Sequence, residues 1–491
     1  MDARELGRWV ISVLVVASLG VGPAGAQDTG LADLSRDARP DTRLVDAARA
    51  ADETAVGALL RAGVDPDIAQ ADGATALHWA AHWDLAAMAD ALVEDGADVN
   101  ATNDFGVTPL WLACLNGSEA VVEALLAAGA DANSALPSGE TVLMTASRTG
   151  SAAAVRLLIG HGAKVNTQEQ SRGQTALMWA VAQRHSEVVK ALVELGADVH
   201  IRTTPQPRRI HTRTAGFNPS GVLDIVQGGT TALLFAARQG DLIAARHLVA
   251  GGADVNDAAR IGTSALVIAA HSGHTVLATF LLEEGADPNA FGAGYSALHA
   301  ATLRGDELLV TVLLAHGADP AVAVLRGSPG RRNSPDYVLE HDVVGATAFW
   351  LAARFAEPGI MRAVAESGGA PGIVMEDGTT PLLAAIGARR RREPGLAANR
   401  VEDERLVRES VAVALEVGVE VNAADAEGNT ALHVAARRRL DTVVQFLVDN
   451  GADVNAENAA GQRPLTLATG GDGAENSTML LLRRLSETTS G

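Results

Sequence analysis

The chain has 491 residues, of which 47% are hydrophobic and only 3% aromatic, and it carries a formal net charge of −20. This hydrophobic content excludes a disordered polymer, and the scarcity of aromatic side chains favours thin layers packed through Ala, Leu and Val over large aromatic-filled cores. The negative charge disfavours general binding of nucleic acid, and the single cysteine, Cys114, excludes an intramolecular disulfide.

The N-terminus has the pattern of a secretory signal. A short region with two arginines precedes an apolar run from Trp9 to Gly20, and small residues lead to Ala26. This run is too short to span a bilayer core about 30 Å thick, so it predicts a signal peptide over 1–26 that is cleaved after Ala26. Residues 27–40 are a polar leader, and no later apolar run has spanning length. We therefore expect a mature chain that is exported, periplasmic or secreted, without a membrane span. The basic residues, 37 arginines and two lysines, favour a bacterial source with a high-GC genome.

A sequence period of about 33 residues begins near residue 41. Its marker is a glycine that follows an apolar run, and successive marker glycines are mostly one period apart. These glycines are Gly63, Gly96, Gly129, Gly162, Gly196, Gly252, Gly285, Gly317, Gly369, Gly418 and Gly451. Each period also contains a seven-residue string of one type: TALHWAA (75–81), TPLWLAC (108–114), TVLMTAS (141–147), TALMWAV (175–181), TALLFAA (231–237), SALVIAA (264–270), SALHAAT (296–302), TAFWLAA (347–353), TPLLAAI (380–386) and TALHVAA (430–436).

These strings resemble the ankyrin repeat family, whose pattern is T-P-L-H-x-A-A, a glycine, V-V-x-L-L and then G-A-D-V-N. The resemblance covers residues 41–485 and implies an all-α solenoid of about 11–12 helix-turn-helix units with finger loops. Residues 41–70 are a degraded first repeat, and the segment up to 485 ends in a shortened last repeat, as capping repeats would. Residues 486–491 remain as a tail.

The residue types within one repeat support the same fold. The Thr or Ser that opens each string is suited to be a helix N-cap, and paired alanines such as Ala80 and Ala81 allow neighbouring helices to approach closely. The marker glycine can adopt the left-handed conformation that ends a helix. Helices of two or three turns are unstable alone, so stacking must supply the core.

His78 and His82 lie four residues apart, the spacing at which two imidazoles on one helix face can bind zinc. No Asp, Glu or Cys at ligand spacing completes a set of three or four donors. His78 also stands at the fourth position of its repeat, where the resemblance implies a structural histidine, as it does for His299 and His433. We therefore predict no metal site and no cofactor.

Three insertions interrupt the period, at about 201–228, 322–344 and 388–404. The first two lengthen the loop between repeats and are rich in Pro, Gly and Arg, so we expect flexible or hairpin-like flaps. Two interpretations stay open for them: contact with a ligand or neutral loop growth. The third separates the two helices of one repeat and is interpreted as a solvated charged segment. The candidate contact residues in the flaps are Arg208, Arg209, Arg213, Arg331, Arg332 and Tyr337.

The resemblance implies that the two residues after each Ala-Ala pair line a concave groove. The twenty such positions hold six arginines and no Asp or Glu, although the chain contains 59 acidic residues. A positive groove would attract an acidic partner; alternatively, helix dipoles alone favour cations at helix C-termini. The candidate partner-binding residues are His82, Trp83, Asn116, Arg148, Gln183, Arg238, Gln239, His271, Arg304, Arg354, Phe355, Arg437 and Arg438.

The chain contains no nucleophile elbow, phosphate loop or zinc-protease motif, so we propose no catalytic residue and expect no enzymatic activity. The favoured interpretation is a monomeric, non-enzymatic scaffold that binds an unidentified protein, with an acidic surface, through the groove and the flaps. One alternative is a binder of polyanions such as acidic glycans or nucleic acid, the latter disfavoured by the net charge. The other alternative is a cryptic hydrolase.

Overall fold

The computed structural model describes residues 41–211, 222–327, 343–388, 399–469 and 475–489. The predicted signal peptide and polar leader lie outside these residues, as do the central parts of the three insertions. The described chain forms two compact units. The first unit holds the residues up to Pro205, Gly228–Ala236 and Ile243–Ala253, and the second holds Gln206–Gln227, Ala237–Leu242 and the residues from Asp254 onward.

The described residues contain 24 helices in twelve consecutive pairs, which agrees with the 11–12 units expected from the sequence. The first unit contains α1 (Arg43–Arg49), α2 (Glu53–Arg61), α3 (Ala76–His82), α4 (Ala86–Glu94), α5 (Pro109–Asn116), α6 (Glu119–Ala127), α7 (Val142–Thr149), α8 (Ala152–Gly160), α9 (Ala176–Ala182) and α10 (Ser186–Glu194). The residues of α11 (Ala232–Gln239) and α12 (Leu242–Ala250) are divided between the units. The second unit contains α13 (Ala265–Ser272), α14 (Thr275–Glu283), α15 (Ala297–Arg304), α16 (Glu307–Ala315), α17 (Ala348–Phe355), α18 (Pro358–Glu366), α19 (Pro381–Ile386), α20 (Arg400–Glu416), α21 (Ala431–Arg438), α22 (Asp441–Asp449), α23 (Pro464–Leu467) and α24 (Ser477–Thr489).

The predicted capping residues account for where the first helix of each pair begins and ends. The hydroxyl of Thr108 accepts a hydrogen bond from the N–H of Trp111 at 3.1 Å, and a Thr or Ser makes the same bond before α7, α9, α13, α17 and α19. After α5, Gly117 has a φ of 71° and ends the helix in the left-handed conformation. Ala113 and Cys114 are fully buried, and the small side chains there let α5 and α7 pack side by side.

A hydrogen-bonded clasp joins the loops of successive repeats. The side chain of Asn100 donates to the Gly129 carbonyl at 3.2 Å and accepts from the Asp131 N–H at 2.8 Å. We call this pair of bonds the asparagine clasp. Its partners are 29 and 31 positions away along the chain. The clasp therefore connects two successive repeats on the side where their loops lie, which we call the loop edge. The clasp asparagines are Asn100, Asn133, Asn166, Asn256, Asn289 and Asn422.

Two boundaries differ from those expected from the sequence. The marker glycine assigned to Gly369 is instead Gly368, which has a φ of 85°; two adjacent glycines cannot be told apart by residue type. Residues 400–404, which the sequence assigned to the third insertion, lie within α20, a helix of 17 residues that Asn399 caps. The Asn399 side chain accepts from the Glu402 N–H, and acidic residues in the first turn favour a helix start.

The described part of the first insertion contains a hairpin-like ribbon, as expected. Strands β1 (Gln206–His211) and β2 (Val222–Gln227) of the second unit pair in antiparallel orientation. In the first unit, the ends of this insertion are also hydrogen-bonded, because the Thr203 N–H donates to the Thr230 carbonyl at 3.0 Å and the Gly229 N–H donates to the Thr203 carbonyl at 2.9 Å. These bonds hold the two ends of the first insertion together at the point where it leaves the ordinary inter-repeat loop.

Candidate binding surface

His78 is part of the fold. Its Nδ1 accepts a hydrogen bond from the Thr75 N–H at 3.1 Å, and its Nε2 donates to the Val107 carbonyl at 3.0 Å. Burial lowers the pKa of His78, although its hydrogen bond to Val107 opposes the shift, so the ring is neutral in the folded state. His299 and His433 make the same two types of bond. Both nitrogens of these rings are thus hydrogen-bonded within the fold, as the repeat pattern predicted.

Several predicted groove residues bind the carbonyls that end the preceding repeat's first helix. In the first unit, the Asn116 side chain donates to the His82 carbonyl at 2.6 Å and to the Ala81 carbonyl at 3.1 Å. In the second unit, Arg304 donates to the His271 carbonyl at 3.1 Å, and Arg438 donates to the Ile386 carbonyl. These side chains donate hydrogen bonds to carbonyls at helix C-termini, which have no donor within their own helix. The preference of helix ends for cations therefore accounts for part of the arginine pattern.

Arg148 is paired within the first unit. Its guanidinium lies 3.1 Å from a carboxylate oxygen of Glu140 and 5.4 Å from the ring centroid of Trp179. The same Glu140 oxygen accepts from the Thr145 hydroxyl at 2.9 Å. Only 20% of the Arg148 side chain and 16% of the Glu140 side chain are exposed. Glu140 was not among the positions whose charges were counted, because it lies in a finger loop and not at a helix end. Its place directly before the N-cap Thr141 is the only feature of the sequence that could have indicated this pairing.

The second unit holds six further predicted groove residues besides Arg304 and Arg438. Arg238 and Arg437 are exposed, while Arg354 is half-buried with its guanidinium 5.6 Å from the Trp350 ring centroid. Gln239, His271 and Phe355 are half-buried. Arg238 and Arg437 are thus more exposed than Arg148, whose guanidinium is paired with Glu140.

Three rings form an aromatic platform at the end of α3, and we use this name for Trp79, His82 and Trp83. The two indoles are stacked with ring centroids 6.4 Å apart, and the His82 ring lies 4.6 Å from that of Trp83. The Trp83 indole N–H donates to the Arg49 carbonyl at 3.0 Å, yet 47% of the residue is exposed. Burial lowers the pKa of His82, so this ring tends to be uncharged.

Trp79 and Phe105 are not among the contact residues predicted from the sequence. Trp79 stands four residues before Trp83, the spacing that brings side chains together on one helix face. Phe105, at the tip of the finger loop before α5, is 55% exposed. The turn at this tip is fixed by Asn103, whose side-chain oxygen accepts from the N–H groups of Phe105 and Val107 at 3.0 and 2.9 Å.

The remaining predicted contact residues lie elsewhere. Gln183, which follows α9, is exposed. Arg208 and Arg209 are exposed on β1, and Arg208 donates to the Gln227 side chain at 2.6 Å. Arg213, Arg331, Arg332 and Tyr337 lie outside the described residues. Across the described ranges, no group of three or more His, Cys, Asp or Glu side chains is arranged to hold a metal ion, and no helix is long and apolar enough to cross a membrane.

Short helix pairs, finger loops and clasps that recur from one repeat to the next define a helical-repeat protein of the solenoid class. Family models described as ankyrin repeats in three copies match residues 44–136, 128–203 and 233–323, and a model of ankyrin repeats in many copies matches residues 413–468. The chain therefore belongs to the ankyrin repeat family. Repeats of this family generally mediate protein–protein interaction, and they are typically not enzymes.

Among solved structures, the chain is similar to the human ASB11 ankyrin repeat domain, with 27% sequence identity and a TM-score of 0.40. That match covers 50% of this chain and 98% of the other. None of the curated proteins matches the chain.

Proposed function

We propose that this protein is an exported, non-enzymatic scaffold that binds another protein at the C-terminal ends of its first helices. The observation that carries the proposal is the aromatic platform. Trp83 is 47% exposed, although its indole N–H is bonded to Arg49 and its ring is stacked on Trp79. A rigidly held, exposed indole offers a large apolar contact at little entropic cost, which is the character of binding hot spots.

The surroundings of the platform support an apolar anchor with polar contacts beside it. The first helices α3, α5, α7 and α9 lie side by side in the first unit. Trp83, Asn116 and Gln183 occupy the same place in their repeats, and Arg148 lies one position earlier in its own repeat. Trp83, Asn116 and Gln183 are exposed, and the side chains of Asn116 and Arg148 donate hydrogen bonds within the protein. The partner is therefore expected to insert an apolar group at Trp83 and to bind Gln183 at the edge.

An acidic surface on the partner is the second element of the proposal. Arg238, Arg437 and Arg438 are exposed on the second unit, within a chain whose net charge is −20. Guanidinium groups bind carboxylates in two-bond geometry. Such charges act mainly on the rate of association and on the choice of partner.

Export is the third element and rests on the signal pattern over residues 1–26. N-terminal sequencing of the protein from the native cell envelope or culture supernatant should give a chain that begins at Gln27. A chain that retains Met1 and remains in the cytoplasm would contradict export.

The binding proposal is tested by affinity capture from the native envelope fraction, followed by measurement of Kd for the captured protein. Trp83→Ala should weaken binding by about 30-fold or more, equivalent to about 2 kcal/mol, and should leave the melting temperature within a few degrees. Leu480→Ala is the matched control, because Leu480 is 50% exposed on α24 and its loss should not affect binding. Wild-type affinity in Trp83→Ala would refute the platform as the anchor.

A polyanion binder is the second candidate, and the exposed arginines of the second unit favour it. This function predicts that binding of an acidic polysaccharide falls by orders of magnitude between about 50 and 200 mM salt and is independent of Trp83. The double substitution Arg238→Ala and Arg437→Ala should then reduce the salt dependence. Affinity that stays constant as the salt concentration rises would exclude this candidate.

A further inference from the structure

Four joints lack the clasp asparagine. At the first of them Asp67 still accepts from the Asp98 N–H at 2.7 Å, but its carboxylate cannot donate to the Gly96 carbonyl. The clasp position is the fourth residue after each marker glycine, and six repeats have asparagine there with both bonds formed. At the three later joints without the asparagine the chain has His200, Ala321 and Gly372. Ala321 and Gly372 have no side-chain polar group, so they cannot donate to the next marker glycine or accept from the residue two beyond it.

Each of these three positions precedes an insertion. The first two insertions lengthen the loops that follow His200 and Ala321, and the third separates α19 from α20 in the repeat that follows Gly372. A clasp asparagine is normally 29 residues before the marker glycine that it binds, as with Asn100 and Gly129. The corresponding separations are 52 residues from His200 to Gly252, 47 from Ala321 to Gly368, and 46 from Gly372 to Gly418. In each case the clasp position before the insertion is not asparagine.

One repeat of the second unit, formed by α17 and α18, lies between two such joints. On its helix side this repeat is tightly packed: Phe349 is fully buried, Trp350 is 2% exposed, and the Trp350 indole N–H donates to the Thr379 carbonyl at 3.2 Å. On its loop side the clasp asparagine is replaced by Ala321 before the repeat and by Gly372 after it. The helix side of this repeat is therefore held more firmly to its neighbours than the loop side.

We infer that the loop edge of this repeat is a built-in opening point, at which the loops separate from their neighbours while the helices remain stacked. Opening at a clasped joint must break two side-chain bonds to backbone, such as those of Asn289 to Gly317 at 2.9 Å and from Asp319 at 2.7 Å. Opening at the Ala321 and Gly372 joints breaks neither. Because each such bond contributes about 1 kcal/mol net, the unclasped joints open about tenfold or more often than the clasped ones.

This inference does not depend on what the protein binds. Its observable is hydrogen exchange, because local opening exposes backbone amides. The amides that a clasp would hold are those of Ala370 and Glu420, two residues after Gly368 and Gly418. The matching amides at clasped joints of the same unit are those of Asp319 and Asp453, which donate to Asn289 and Asn422.

The test is hydrogen exchange of the full chain, resolved by mass spectrometry, in the wild type and three variants. In the wild type, the amides of Ala370 and Glu420 should exchange about tenfold faster than those of Asp319 and Asp453, after correction for intrinsic rates. Ala321→Asn should slow exchange at Ala370, and Gly372→Asn should slow it at Glu420, each at least about fivefold. Conversely, Asn289→Ala should accelerate exchange at Asp319 by a similar factor.

The asparagine substitutions are compatible with the fold. Ala321 is exposed, and a Cβ added at Gly372 would meet nothing within 4 Å. Equal exchange at clasped and unclasped joints in the wild type would overturn the inference. It would also be overturned if Ala321→Asn and Gly372→Asn left exchange at Ala370 and Glu420 unchanged.

Discussion

Replacement of His299 is predicted to remove a specific part of the acid sensitivity of the second unit. His299 is 1% exposed; its Nδ1 accepts from the Ser296 N–H at 3.2 Å, and its Nε2 donates to the Val322 carbonyl at 3.0 Å. This arrangement requires a neutral ring. Burial lowers the pKa of His299 from its ordinary value of 6.5 to about 4, although the hydrogen bond to Val322 opposes the shift.

The sign and size of the effect follow from proton linkage. Between pH 6.5 and 4 the unfolded state binds a proton at His299 and the folded state does not, so stability falls as the pH falls. Each pH unit in this window costs about 1.4 kcal/mol. The loss from pH 7 to pH 5 is therefore about 2 kcal/mol, and the full loss at pH 4 is about 3 kcal/mol.

The assay is urea unfolding followed by circular dichroism at pH 7 and pH 5. His299→Met uses a residue that two other repeats have at the same position, Met144 and Met178, both buried. This variant should lose about 2 kcal/mol less than the wild type between the two pH values, since other titrating groups contribute equally to both proteins. Thr347→Ala is the control, because it removes a capping hydroxyl in the same unit from a repeat that has Trp350 in place of the histidine, and it should keep the wild-type pH dependence. If His299→Met and wild type lost equal stability, His299 would not be the source of the acid sensitivity.

Two further predictions concern other buried groups. The carboxylate of Glu169 is buried, and burial opposes its ionisation. It accepts hydrogen bonds from the N–H groups of Gln174, Ser171 and Arg172 and from the Ser171 hydroxyl, and these bonds lower its pKa. The ionised group therefore stabilises the fold at pH values above its ordinary pKa, and this stabilisation is lost as the pH falls through the lowered pKa. Glu169→Gln should cost about 1–3 kcal/mol at pH 7 and less at acidic pH, as measured by urea unfolding, and an equal cost at both pH values would contradict this. Cys114 is fully buried and burial raises the pKa of its thiol, so DTNB should label it in urea-unfolded protein but not in the native protein; rapid labelling of the native protein would show that the α5 core opens readily.

The sequence by itself determined the repeat, its two helices and the role of its histidines. These features depend on contacts within about four residues, such as Thr108 with Trp111 or Ser296 with His299, and such contacts recur wherever the same residue types recur. The residue pattern could not distinguish Gly368 from Gly369, and it did not reveal that residues 400–404 extend α20. Both outcomes depend on backbone conformation in places where the repeat pattern is interrupted.

Only the tertiary structure decided which groove residues remain available to a partner. Asn116 and Arg304 bind carbonyls 33 to 35 positions earlier in the chain, and Arg148 is neutralised by Glu140 from a finger loop. Trp83, by contrast, remains 47% exposed beside Trp79. The sequence specifies each side chain, but its exposure and its net charge depend on neighbours from adjacent repeats, and these neighbours are set by the stacking of about thirty-residue units rather than by proximity along the chain.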